Sequence, residues 1–419
     1  MRRLPLRTLL ATLARREGEP TSACDCRTFA AETVRVSTGQ PAEDTTGDKF
    51  RYADLEVHRT RNPQRKPQLE GLLFGQHFTD HMFQVEHVYG GGWGCPTIHP
   101  FAPFQMHPAS SGIHIGLSCF EGMKAYMGVD GRGRLFRPDM NMARFHRSSR
   151  RLHLADFDQM EFLECLKELL RVDKSWLPAK EGYSLYVRPF MFSSSHNLGI
   201  APPSRTTMSV IVSPCGPYFP TGMRPVRLFV DEHMVRAWPG GAGDVKIAGN
   251  YSPTIEPLVA AARDYGASQS LFVLPQGPDR DQAVLSEAGG MNFFAYIDKG
   301  GGQGQELVTP PLDGTVLPGI TRDSILQLAR SWGEFQVSER YMTLLELDQA
   351  AKAGRIRELF MCGTAAVVQP VHELARAQRD MVTVAFDPKD VTTLTARFTR
   401  ALADIQYGHV PHEWSVPFE

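Results

Sequence analysis

Near the middle of the chain stands CGPYFPTGMRPV, residues 215–226, a stretch dense in proline and glycine between two blocks patterned as strands and helices. Proline lacks an amide hydrogen and fixes φ, while glycine leaves the backbone unrestrained, so such a run continues neither strand nor helix. It divides the chain into halves that must each build a core. Before it, Phe162–Val172 (FLECLKELLRV) sets apolar residues at helical spacing. Ser184–Phe192 and Met208–Ser213 read as strands, the latter as the apolar run MSVIVS. After it, Val226–Val230, Ser270–Leu274 and Asn292–Ile297 read as strands. Ile325, Leu328, Ala329 and Trp332 mark one helix face at i, i+3, i+4, i+7. The pattern predicts an α+β protein. A polar leader occupies residues 1–50, with folded chain from about Tyr52; a smaller N-terminal α/β domain spans 51–220 and a larger C-terminal domain 221–419.

A chain of 419 residues has room for two substantial cores. A formal net charge of −1 gives no global field toward nucleic acid or an anionic membrane, and no apolar run approaches bilayer-spanning length. The seven cysteines are scattered, which argues against a disulfide framework and for a reducing compartment. Cys24 and Cys26 lie close, but no second pair completes a zinc site. His77 and His81, at i, i+4, read as structural histidines rather than metal ligands. The first sixteen residues, MRRLPLRTLLATLARR, hold five arginines and no acid, with Leu6, Leu9, Leu10 and Leu13 on one helical face. They resemble a mitochondrial transit peptide; a basic tail without an address is the alternative.

Four segments carry candidate chemistry. In WPGGAGDVKIAGNY, Trp238–Tyr251, Lys246 stands among glycines that permit close approach of a ligand. The spacing fits neither a P-loop nor a dinucleotide fingerprint. The choice is between a surface lysine and one that forms a Schiff base with an aldehyde cofactor. In LPGITRDSILQLARSW a turn leads into a helix whose first amides, at Ile320 and Thr321, suit a phosphate. In LSEAGGMNFF, Glu287 precedes a glycine pair and an apolar strand; if buried, it needs a cationic partner. In MCGTAAVVQP, the turn Gly363–Thr364–Ala365 offers amides and a hydroxyl to an anion. Each has an ordinary alternative as turn or surface.

Taken in order, these segments together with LLFGQHFTDHMF, CFEGMKAY, RLFRPDMNMARFHRS, SLYVRP, GPYFP, TPPLDGTVLPGITR, WGEFQVSERYMT and DIQYG resemble the eukaryotic branched-chain aminotransferases. These are fold type IV pyridoxal-phosphate enzymes. The resemblance covers about Tyr52 to Pro417. It implies two α/β domains with pyridoxal 5'-phosphate bound between them, and transfer of the amino group of leucine, isoleucine or valine to 2-oxoglutarate. It implies that Lys246 holds the cofactor and shuttles the proton at Cα. Glu287 keeps the pyridine nitrogen protonated, and Tyr251 lies beside the phenolate oxygen. Arg144, Ile320, Thr321 and Thr364 hold the phosphate. Phe78, Phe120, Tyr186 and Tyr218 form the apolar wall, Arg188 takes a second carboxylate, and Thr364 and Ala365 receive the substrate carboxylate. Leu198 and Ile200 reach a partner subunit, which implies a homodimer with shared sites.

Three departures from the family pattern involve four positions. A CxxC pair is replaced by Ala366 and Gln369, leaving Cys362 as the nearby thiol able to react alone. Ile115 stands in HIGLSCFEG where the family has tyrosine, and Gly290 in EAGGMN where it has threonine. The last two motivate an alternative reading, a specialised relative acting on an unusual aliphatic amino acid. A non-enzymatic scaffold retaining the fold is the reading from a different class.

Overall fold

A computed structural model of the chain describes residues 49–216, 224–377 and 379–419. The leader with Cys24 and Cys26, and Tyr218 in the Pro/Gly stretch, lie outside the described residues.

The strands up to Cys215, joined by Ser415–Pro417, form one sheet, and the remaining strands from Val226 onward form another. In the first, the spatial order is Glu56–Val57, Thr97–Pro100, His81–Val88, Arg205–Cys215, Ser184–Ser193, Met123–Met127, Gly133–Phe136 and Ser415–Pro417. The central strand Arg205–Cys215 is buried along nearly its whole length, which is why MSVIVS shows no alternation. The distant strand Ser415–Pro417 pairs antiparallel with Gly133–Phe136, and Phe418 enters the first core at 1% exposure. In the second sheet the order is Val284–Ala288, Gln269–Leu274, Val226–Asp231, Val367–Arg376, Ile356–Gly363, Met291–Asp298, Gln305–Thr309 and Gln336–Glu339. Each strand read from the sequence is present, one or a few residues longer than expected.

The expected helix at Phe162–Val172 runs Gln159–Val172. Asp158 starts it, its carboxylate accepting the amides of Met160 and Glu161. Phe162, Leu163, Leu166, Leu169 and Leu170 repeat at three- and four-residue spacing and are buried against the first sheet. Truncating a residue such as Leu166 costs about 2–5 kcal/mol in a core of this kind. Phe50 joins that core, its ring 5.2 Å from that of Trp93. Folded chain therefore begins ahead of the expected Tyr52, inside what the sequence assigned to the leader.

The helix marked by Ile325 and Ala329 spans Ile320–Trp332 and ends at Gly333, whose φ of 66° is the left-handed closing conformation that glycine adopts freely. Its buried face and that of Leu394–Gln406 form a third core with Phe294 and Phe360 of the second sheet and Tyr126 and Phe136 of the first. That shared core fixes the N-terminus of Ile320–Trp332 beside the first sheet. His81 is structural, as expected: buried, with Nδ1 2.7 Å from Asp173 and Nε2 accepting the Thr60 amide. Among the described residues no group of side chains is arranged to hold a metal ion, and no helix is long and apolar enough to cross a membrane.

Candidate active site

The glycine-rich loop runs against the first sheet. The amide of Phe120 donates to the Lys246 carbonyl at 3.0 Å, and the Lys246 amide donates to Ser148 Oγ at 2.9 Å. These bonds fix the lysine backbone and leave its side chain to project. Nζ lies 2.9 Å from Tyr251 Oη and 4.8 Å from the centre of the Phe120 ring.

Two buried carboxylates lie within electrostatic reach of that ammonium. Glu121, in CFEGMKAY, is held bidentately by Arg144: Nε to Oε1 at 2.6 Å and Nη2 to Oε2 at 2.9 Å. Asn141 and the Gly122 amide also donate to it. Burial alone would raise its proton affinity; the Arg144 guanidinium and these donors outweigh that and hold the carboxyl below its ordinary value. Glu287 is equally buried. Arg236 Nη1 lies 2.6 Å from its Oε2, the Leu317 amide donates to the same oxygen, and Asn292 donates to Oε1. Here burial wins and the carboxyl is raised, against the pull of Arg236, the Leu317 amide, Lys246 and Arg322.

The third Arg144 donor, Nη1, bonds the Pro318 carbonyl at 3.0 Å, directly before the helix Ile320–Trp332. No side chain caps that helix end, so the amides of Ile320 and Thr321 remain available. Gly319 is glycine for want of space: a Cβ there would come within 1.9 Å of Asn292 Oδ1. The same asparagine thus touches both Glu287 and the helix start. Ile320, Thr321 and Thr364 line one cavity with Lys124 and Asn141. Lys124 donates from Nζ to the Ala365 carbonyl at 2.7 Å, and burial lowers its proton affinity. Beyond that turn, Val367 takes a φ of 62°, a conformation a β-branched residue adopts only at a cost of roughly 1–3 kcal/mol.

Phe120, Tyr186 and Arg188 come together as expected. The Phe120 ring lies 4.8 Å from Tyr251, the Arg188 guanidinium 4.7 Å from Phe120, and Arg188 Nη2 donates to Tyr186 Oη at 3.0 Å. Arg188 Nε is buried with no hydrogen-bond partner among the described residues. Phe78 stacks on Phe101, 5.0 Å between ring centres. Cys362 is a correction: it is fully buried, and burial pushes its thiol far above the ordinary range, so it lacks the thiolate that the expectation of lone reactivity required. Sequence reading missed Glu121, Lys124 and Arg236. Glu121 and Lys124 sit in CFEGMKAY and Arg236 two residues before WPGGAGDVKIAGNY, and the signal was available in principle, since a buried Glu287 required a cation and Arg236 opens the same loop as Lys246.

A family model described as amino-transferase class IV matches residues 118–374. The mitochondrial branched-chain-amino-acid aminotransferase of Rattus norvegicus is 47% identical over 369 residues, covering 87% of this chain and 91% of that protein. The cytosolic branched-chain-amino-acid aminotransferase of Mus musculus is 41% identical over 381 residues, covering 90% and 96%. Among solved structures, the branched-chain aminotransferase of Thermoproteus uzoniensis with norvaline superposes with a TM-score of 0.63 at 22% identity, over 81% of this chain and 100% of that one.

Proposed function

From the premise that the chain belongs to the class IV aminotransferases, we propose how its own residues carry out the reaction. The enzyme is a pyridoxal-phosphate-dependent branched-chain-amino-acid aminotransferase of fold type IV. Its donors are leucine, isoleucine and valine, and its acceptor is 2-oxoglutarate. The observation that carries the assignment of roles is Lys246 Nζ on Tyr251 Oη, near two oppositely tuned buried carboxylates.

The residues fit the cofactor. A buried helix end without a side-chain cap, with Thr364 on the same cavity, suits a phosphate. Glu287 keeps a lone pair on Oε1, where among the described residues Asn292 is the one donor, and this oxygen would take the protonated nitrogen of the ring. Bound pyridoxal phosphate supplies an electron sink and a carbon that carries the amino group between half-reactions. Lys246 Nζ would hold the cofactor at its aldehyde and, when free, would carry the proton at the substrate Cα. Tyr251 Oη orients Nζ and would hold the cofactor at its phenolate oxygen. Arg144, anchored by Glu121 and Pro318, would back the phosphate, which Ile320, Thr321 and Thr364 would hold. The Ala365 amide, braced through its carbonyl by Lys124, receives the substrate carboxylate with Thr364. Phe120 and Tyr186 exclude water around an aliphatic side chain, with Phe78 and Tyr218 assigned to the same wall, and Arg188 takes the second carboxylate of glutamate.

The apolar residues Ile115, Leu198 and Ile200 are exposed, Ile200 at 93%. This supports a homodimer in which they cover the partner's site. The Pro/Gly stretch near residue 220 is read as the domain boundary, and the arginine-rich first sixteen residues as a mitochondrial address. A second reading, a shifted donor range, is favoured by Gly290: its φ needs no glycine, and a Cβ there would meet only Tyr251 Cε1, at 3.6 Å. The deciding experiment is a panel of amino donors with 2-oxoglutarate, alongside the absorbance of the bound cofactor. Fastest turnover with leucine, isoleucine and valine supports the main reading, fastest turnover with bulkier donors the second, and a colourless, inactive protein overturns both.

A further inference from the structure

Arg236 is 7% exposed and its guanidinium bonds three separate segments. Nη1 lies 2.6 Å from Glu287 Oε2. The same nitrogen donates to the Thr315 carbonyl at 2.9 Å. Nη1 and Nη2 both reach the Gly243 carbonyl at 3.3 Å. Each segment carries a different part of the site: Glu287 itself, the loop of Lys246 just beyond Gly243, and the approach to Ile320 and Thr321 just beyond Thr315. Packing enforces the convergence. A Cβ at Gly243 would lie 2.6 Å from Ala237 Cβ, 2.6 Å from the Thr315 carbonyl and 2.8 Å from the Gly314 carbonyl, so the lysine loop closes on this point only as glycine.

A buried ion pair gives little net stability, because desolvation offsets most of its attraction. Its retention here has a better account in what it does to Glu287. Glu287 faces Arg236, Lys246, Arg322 and the buried thiol of Cys362. Arg236 is the strongest of the cations acting on it and the one in direct contact. It occupies Oε2 together with the Leu317 amide and leaves Oε1 with a free lone pair.

We infer that Arg236 is a positioning residue that holds Glu287 as a carboxylate with Oε1 turned to the cofactor's ring nitrogen, and that clamps the Lys246 loop to the same frame. This rests on the reading that Glu287 faces the ring nitrogen. Arg236 touches neither substrate nor reacting atoms; it acts through Glu287 and Gly243.

The test is the nitrogen-15 resonance of the ring nitrogen in holoenzyme loaded with labelled pyridoxal phosphate, in wild type, Arg236→Met, Arg236→Lys and Glu287→Gln. Wild type shows the pyridinium position. Arg236→Met moves the resonance more than half of the way to neutral pyridine, and Arg236→Lys, which restores a cation, moves it less. If Glu287→Gln leaves the resonance in place, the reading of Glu287 fails. If Glu287→Gln moves it and Arg236→Met does not, the inference about Arg236 fails. Should Arg236→Met not fold, Arg236→Lys decides through amide exchange, since a lysine cannot span all three acceptors. Exchange about tenfold faster over residues 243–246, with the resonance still nearer pyridinium than neutral pyridine, supports the clamp; wild-type exchange there overturns it.

Discussion

Glu121 and Glu287 are both buried carboxylates bonded to a buried arginine, yet their proton affinities move in opposite directions. The geometry explains the difference. Arg144 grips Glu121 with two parallel bonds, and Asn141 and the Gly122 amide complete the shell. Arg236 gives Glu287 one contact and spends its other hydrogen bonds on backbone carbonyls. A bidentate, charge-assisted pair offsets desolvation where a single-point contact does not. Glu121 is thereby a fixed anchor for Arg144, whereas Glu287 stays responsive to whatever proton donor stands opposite Oε1.

Lys246→Ala removes the charge the two acids share and is expected to have the largest effect. Transamination and the absorbance of lysine-bound cofactor vanish while the fold persists; circular dichroism and absorbance together check this, and retained absorbance at full cofactor occupancy refutes the role of Lys246. Glu121→Gln leaves Arg144 without its anionic partner and is expected to cost about 3–5 kcal/mol of stability by denaturant unfolding. A loss under about 1 kcal/mol would show that Glu121 is no anchor. Glu287→Gln should spare cofactor affinity more than rate, lowering kcat by about 10²–10³-fold; near-normal turnover would mean that another group serves the ring.

Acid sharpens the contrast further. Glu121, held below its ordinary 4.5, contributes stability that is full above that value and disappears as pH falls through its lowered folded value. Glu287, raised above 4.5, does the reverse: its contribution is full below that value and lost as pH rises through its folded value. Melting curves of cofactor-free protein from roughly pH 3 to pH 8 should show the wild-type advantage over Glu121→Gln growing with pH, and the difference from Glu287→Gln shrinking. Parallel curves would remove the basis of the comparison. The smallest expected effect is at Gly290. Gly290→Thr fills open space beside Tyr251 and should lower kcat/KM for bulky donors relative to leucine by roughly 1–3 kcal/mol; an unchanged donor profile would show that this space is not used.

The helix Gln159–Val172 and the strands Ser184–Ser193 and Arg205–Cys215 were legible because periodicity is local and burial follows it. Lys246 and Tyr251 were legible through the wording of their motif, since spacing alone left the lysine ambiguous. The partners of the acids were not. Arg144 meets Glu121, and Arg236 meets Glu287, across loops whose closure no local pattern encodes. Burial misled in one case: Cys362 looks available beside a turn in the sequence, but its strand lies in the middle of the second sheet. The stacking of Phe78 on Phe101 was not legible either, since it depends on a loop with no regular pattern.

The return of Ser415–Pro417 to the first sheet has a kinetic meaning. The ring of Phe418 lies where a Cβ of Gly133 would be, 2.1 Å from it, and the Phe418 amide donates to the Gly133 carbonyl. Every strand of the second sheet lies in the segment between these two residues. Closing so long a segment is entropically slow while it is disordered and far easier once it has compacted. The seam is therefore a late event in folding: the first sheet keeps an open edge at Gly133–Phe136 until the second has formed, and a slow second sheet prolongs the time in which that edge can pair with another chain.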